Sequence, residues 1–175
     1  MALTGGIMKR LILTLVAFTA ATPALAGAAL WSNIESAMTV AQVHALYPSG
    51  GHVRYHDDET VISDYVVTGN CQADVHIDHP AGVVTRVRVR GAGSLGGRCS
   101  ETVLTGLSSR YGQPLSRERN GGSILAREGS VYVWNRPDGV TLRFKRYTNG
   151  ALGGGGLGHA SWELTYSTVT EEINL

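Results

Sequence analysis

The stretch from Cys71 to Tyr111 constrains this chain more than any other. Cys71, Ala73, Val75 and Ile77 alternate with Gln72, Asp74, His76 and Asp78. After His79-Pro80-Ala81-Gly82, Thr85, Val87 and Val89 alternate with Arg86, Arg88 and Arg90. Successive side chains of a strand leave opposite faces, so two such runs around a Pro/Gly turn predict a hairpin with one apolar and one polar face. With the polar faces together, Asp74 and His76 lie near Arg86 and Arg88. Cross-strand pairs of that kind contribute about 0.2–1 kcal/mol each. The arginine stripe therefore reads as an ion-paired, solvated sheet face rather than an anion site.

The only two cysteines, Cys71 and Cys99, bracket this hairpin and the Gly-rich run 91–97. A disulfide is the simplest use for two cysteines in an exported chain. Closing that loop removes about 3–4 kcal/mol of unfolded-chain entropy. Export is itself an expectation from residues 1–26. Lys9 and Arg10 precede the apolar run Leu11 to Ala21, and Ala24-Leu25-Ala26 is a small-x-small cleavage site. That is the pattern of a secretory signal peptide, opening at Met1 or at Met8. The apolar run is short of the roughly 20 residues a spanning helix needs. The expected mature chain is 27–175, a single domain placed in the periplasm or secreted, with no stable membrane insertion. Removing Lys9 and Arg10 from the 15 basic residues leaves 13 against 14 acidic ones, a net charge of −1. Such a chain carries no electrostatic footprint for nucleic acid.

Two helices punctuate the strands. Thr39-Val40-Ala41-Gln42 is a capping-box pattern, followed by the apolar Val43, Leu46 and Tyr47 and by Pro48 as a stop. Ser100 is the expected N-cap of the second helix, with Glu101 in its first turn. Val103, Leu104, Leu107 and Tyr111 form its stripe, and Gly112 ends it. Strands are predicted at 52–56, around Val61 to Val67, at 115–119, 124–127, 130–135, 140–147 and 160–168. Helix-then-strands occurs twice, which predicts an α+β fold: two tandem helix-plus-antiparallel-strand repeats, about 31–91 and about 98–168, forming one sheet with both helices on one face.

Ala37-Met38-Thr39-Val40-Ala41-Gln42-Val43, followed by Tyr47-Pro48, resembles a helix of the small lipoprotein subunit of the outer-membrane β-barrel assembly machinery. The tandem layout resembles that of the β-lactamase inhibitor protein. The resemblance implies a non-catalytic module that binds another protein through its sheet or loops. The lipid-anchoring cysteine of the former and an inhibitory loop of the latter have no counterpart in this sequence.

Candidate site residues follow from the open sheet face. Arg136-Pro137-Asp138-Gly139 is a strong turn signal. With a four-residue loop there, Val131, Val133, Leu142 and Phe144 share the buried face. Tyr132, Trp134, Arg143 and Lys145 then share the open one. Tyr, Trp and Arg are the types enriched in interface hot spots, so these four are the expected protein-binding residues. A metal site built from His76, Asp78 and His79 is the alternative, although the spacing matches no known signature. No cofactor is expected. Neither a nucleophile elbow nor a phosphate loop is present: Gly153-Gly154-Gly155-Gly156 lacks the following Lys-Ser/Thr.

Overall fold

The computed structural model describes residues 27–92, 98–120, 128–148 and 161–168. The signal-like segment 1–26, the strand expected at 124–127 and most of the two Gly-rich runs lie outside them. Strands β1 (Ala29–Trp31) and β2 (Ile34–Glu35) form a small ribbon. Helix α1 (Val40–Leu46) follows, then β3 (Val53–Tyr55), β4 (Glu59–Thr68), β5 (Cys71–Asp78) and β6 (Arg86–Ala92). Helix α2 (Arg98–Tyr111) leads into β7 (Ser116–Asn120), β8 (Glu128–Asn135), β9 (Thr141–Thr148) and β10 (Ser161–Ser167). The last eight strands form one antiparallel sheet ordered β3-β4-β5-β6-β10-β9-β8-β7.

This corrects the expected α+β class. The molecule is mostly β: 52% of the described residues are strand, and the two helices have 7 and 14 residues. Nor do the halves read as two helix-plus-strand repeats. The β1–β2 ribbon takes the segment expected to lead into the first helix, and Ile34 in it is fully buried. Helix α1 buries only Val43, whereas α2 buries Cys99, Ser100, Val103 and Leu107. The sheet supplies most of the core, so strand content rather than helix order sets the class.

The core lies on one face of the sheet. Ala73, Val75 and Ile77 of β5, Val87 and Val89 of β6, Trp162 and Leu164 of β10, and Leu142 and Phe144 of β9 pack with Val43, Val103, Leu107, Leu30 and Ile34. Their alternation brings the inward residues into one layer. Strand β4 keeps both Ile62 and Tyr65 facing inward through a bulge. Ile62 pairs with Val75 and Tyr65 with Ala73, and the extra residue includes Asp64 at φ 56°. A bulge lets a strand change parity without losing its pairing.

The helix ends follow their sequence signals unevenly. Thr39 caps α1 with the full capping box: the Gln42 amide donates to the Thr39 hydroxyl, and the Gln42 side chain accepts from the Thr39 amide at 2.8 Å. Gly112 closes α2 at φ 78°, its N–H donating to the Ser108 carbonyl at 2.9 Å. Ser100 is not the N-cap. Helix α2 begins two residues earlier, at Arg98, and Ser100 is buried inside it. The Cys71–Cys99 disulfide pins that first turn to the inward face of β5.

Candidate functional site: the charged outer sheet face

The face opposite the core is built by the residues between the apolar ones. Read across the sheet, one row runs Val61, His76, Arg88, Thr165, Arg143, Val133 and Ser116. A neighbouring row runs Asp74, Arg90, Glu163, Lys145, Val131 and Glu118. A third begins Glu59, Asp78, Arg86 and Ser167. Among the described residues, the elements outside the sheet give their buried side chains to the opposite layer.

Across β4, β5, β6, β10 and β9 charge on this face is sorted by strand, with Arg54 of β3 and Glu118 of β7 towards the sheet's two edges. The carboxylates Glu59, Asp74 and Asp78 stand on β4 and β5. The cations Arg86, Arg88, Arg90, Arg143 and Lys145 stand on β6 and β9, with Glu163 between them on β10. At the boundary the groups pair. Arg88 grips Asp78 with two nitrogens, Nε to Oδ2 at 2.8 Å, and donates from Nη2 to Glu59 Oε2 at 3.2 Å. His76 Nδ1 lies 3.1 Å from the same Glu59 oxygen. Arg90 Nε donates to Glu163 Oε2 at 2.7 Å. A bidentate guanidinium–carboxylate contact is the strongest geometry available to such a pair. At the β4–β5 end the network borders an open cleft of about 690 Å³ lined by His56, Asp57, Asp58, Glu59, Asp78 and Arg86 among others.

The network shifts the proton affinities of Glu59 and Arg88. Burial pushes the Glu59 carboxyl up, but the hydrogen bond to His76 and the charges of His76, Arg88 and His56 together outweigh it and leave it below its ordinary value. The hydrogen bonds to Asp78 hold the Arg88 guanidinium above its ordinary value against the opposing effect of burial.

The structure separates the four residues expected to share an open face. Tyr132 pairs directly with Phe144, and Trp134 with Leu142, all in the core; Tyr132 is 8% and Trp134 2% exposed. The Trp134 indole N–H donates to the Gly112 carbonyl at 2.9 Å, tying β8 to the end of α2. The Arg117 guanidinium sits 5.5 Å from the Tyr132 ring centroid. Arg143 and Lys145 do lie on the outer face, but opposite Val133 and Val131. The loop is the reason. Asn135 pairs with Thr141, so five residues rather than four make the turn, with the Arg136 N–H donating to the Val140 carbonyl. One residue of register turns a whole strand over relative to its neighbour.

The alternative metal trio is also undone. His76 and Asp78 face outward and are engaged by Glu59 and Arg88. His79 lies fully buried, its Nε2 3.0 Å from the Thr60 hydroxyl. His76 and Asp78 share the outer face, and His79 is buried apart from them. Among the described residues no group of three or more His, Cys, Asp or Glu side chains is arranged to hold a metal ion. Cys71 and Cys99 are joined in the expected disulfide.

Sequence reasoning missed Glu59 and Glu163. Glu59 reads as the end of the acidic turn Asp57-Asp58-Glu59, and only its pairing opposite Asp78 shows it as the first residue of a strand. Glu163 lies between Trp162 and Leu164, a period-two signal that does point it outward. Set against known proteins, the chain matches no family model, no curated protein and no solved structure.

Proposed function

We propose that this chain is an exported, non-catalytic protein-binding module of the bacterial cell envelope or periplasm, and that its outer sheet face meets the partner. The observation that carries this reading is the sorted charge of that face, acidic on β4–β5 and basic on β6 and β9. Such a face favours a polar partner surface of complementary pattern, which sets specificity and encounter rate more than raw affinity. Glu59, Asp78 and Arg88 satisfy one another, which supports a recognition surface over a reaction centre. The disulfide fits an oxidising compartment, and the 37–48 resemblance agrees with a protein-binding role.

The test is capture from envelope extracts by the wild-type chain and by an Arg143→Glu/Lys145→Glu variant with unchanged circular dichroism. A partner held by the wild type at low salt should be lost by the variant and weakened by added salt. Identical partner lists for the two, or no partner for either, would remove the outer-face assignment.

A further inference from the structure

A second concave site lies on the other side of the sheet, between β1, the inward faces of β4 and β10, and the end of α2. It has a volume of about 360 Å³ and is lined by Trp31, Tyr65, Tyr111, Tyr166, Arg110 and Arg136, with smaller apolar contributions. That volume falls within the range of small-molecule pockets, which combine apolar walls with a few convergent polar groups. Trp31 and Tyr65 meet edge to face at 4.8 Å and 71°, forming a corner packed against the core but partly open to the cleft. Aromatic corners of this kind present ring edges and faces to a flat guest.

The polar groups all favour an anion. Among the described residues no acidic one lines the cleft, and two arginines do. Arg136 is held in place: its Nη1 donates to the Ala29 carbonyl at 2.8 Å and its Nη2 is paired with Asp138. Arg110 lies 5.4 Å from the Tyr111 ring centroid and has no carboxylate partner among the described residues. Tyr166 lines the same cleft and feels both charges. Burial, and next the neighbouring Tyr111, push its phenol well above the ordinary value, against the opposing charges of Arg110 and Arg136. Tyr166 therefore stays a neutral O–H donor, and its hydroxyl makes no hydrogen bond among the described residues.

We propose that this cleft binds an aromatic carboxylate, with the carboxylate held by Arg110 and the Tyr166 hydroxyl and the ring seated against Trp31 and Tyr65. The carboxylate can belong to a free small acid or to the C-terminus of a peptide ending in an aromatic residue. The site is independent of the outer face, since its residues lie on the inward side of the sheet.

Isothermal titration of the full chain with indole-3-acetate, with a short peptide ending in a free-acid Trp, and with the amides of both tests it. Saturable binding is expected for at least one acid, and which acid binds identifies the source. The corresponding amide should bind at least about tenfold more weakly, because a charge-assisted hydrogen bond is lost. Arg110→Gln, at an exposed position, should weaken the acid by a similar factor. Tyr166→Phe should weaken it less, without loss of fold. Arg143→Glu/Lys145→Glu should leave it unchanged, which keeps this test separate from that of the outer face. No saturable binding of either acid, equal binding of acid and amide, or wild-type affinity in Arg110→Gln would each overturn the proposal.

Discussion

Two hairpins of the same sheet, β5–β6 and β8–β9, answer differently to the same reading. In β5–β6 the alternation is one-sided: Ala73, Val75 and Ile77 against Gln72, Asp74, His76 and Asp78, with arginines on the returning strand. Any register that keeps the apolar residues inside gives the same faces. His76 lies opposite Arg88, as expected, with Asp74 opposite Arg90 and Asp78 opposite Arg86, and the polar side chains share the face expected of them. In β8 both faces are apolar, Val131 and Val133 against Tyr132 and Trp134. Burial of either set satisfies the hydrophobic effect, so alternation does not choose. The turn chooses, and through it the fit of large rings beside Phe144 and Trp162. Tyr132 and Trp134 bury more apolar area than two valines, and at about 25 cal/mol per Å² that difference favours the observed side.

The comparison can be broken most forcefully at Trp134. Trp134→Ala should cost about 3–5 kcal/mol, as large aromatic truncations in cores do, with the Gly112 carbonyl also losing its donor. Chemical denaturation measures this. A loss below 1 kcal/mol would mean that the ring is not in the core and that the four-residue turn is the true one.

Next in size is Gly91, on the inward face of β6. A Cβ built there would stand 2.3 Å from Trp162 Cε2, so the glycine makes room for the indole lying across from it. Gly91→Ala should lower stability by about 1–3 kcal/mol, the usual cost of overpacking. An unchanged unfolding midpoint would contradict the close approach of β6 and β10.

Val133→Asp separates the two registers by sign. Val133 faces Arg143 on the outer side, so the new carboxylate should form a cross-strand pair and leave stability unchanged or raised by about 0.2–1 kcal/mol. In the other register Val133 is a core residue and the variant would not fold. Near-ultraviolet circular dichroism distinguishes the outcomes.

The smallest effect belongs to the first hairpin's charge network. Glu59 is lowered in the folded state from its ordinary 4.5. The unfolded chain therefore takes up this proton first. The stabilisation is present above pH 4.5 and is lost as pH falls towards the lower, folded-state value. Glu59→Gln should flatten stability in that window and leave it unaltered in pH dependence above neutrality. A wild-type acid limb in the variant would assign the pH dependence to other carboxylates.

Parts of the fold legible in the sequence share a physical property: their signal is local and unopposed. The Thr39 capping box needs only residues three apart. Gly112 ends α2 because the left-handed conformation there excludes most side chains. Where a second local reading existed, distant contacts decided. Ser100 looks like a cap, yet the disulfide and the burial of Cys99 and Ser100 extend the helix past it. The candidate site was half legible for the same reason. Its arginine stripe is plain in the sequence, whereas Glu59 and Glu163 become its partners only through pairings 29 and 73 residues apart.

By itself, then, the sequence determined the β5–β6 hairpin, the polar face with its three arginines, the caps at Thr39 and Gly112 and the pairing of the only two cysteines. Only the tertiary structure decided that sheet outweighs helix and that Tyr132 and Trp134 point inward, away from the face that Arg143 and Lys145 share. It also decided that β10 joins the two halves by inserting between β6 and β9. Period-two alternation encodes which residues of a strand share a face. Which face meets the core is a property of the whole sheet, settled by register and by the volume of the side chains that must be buried together.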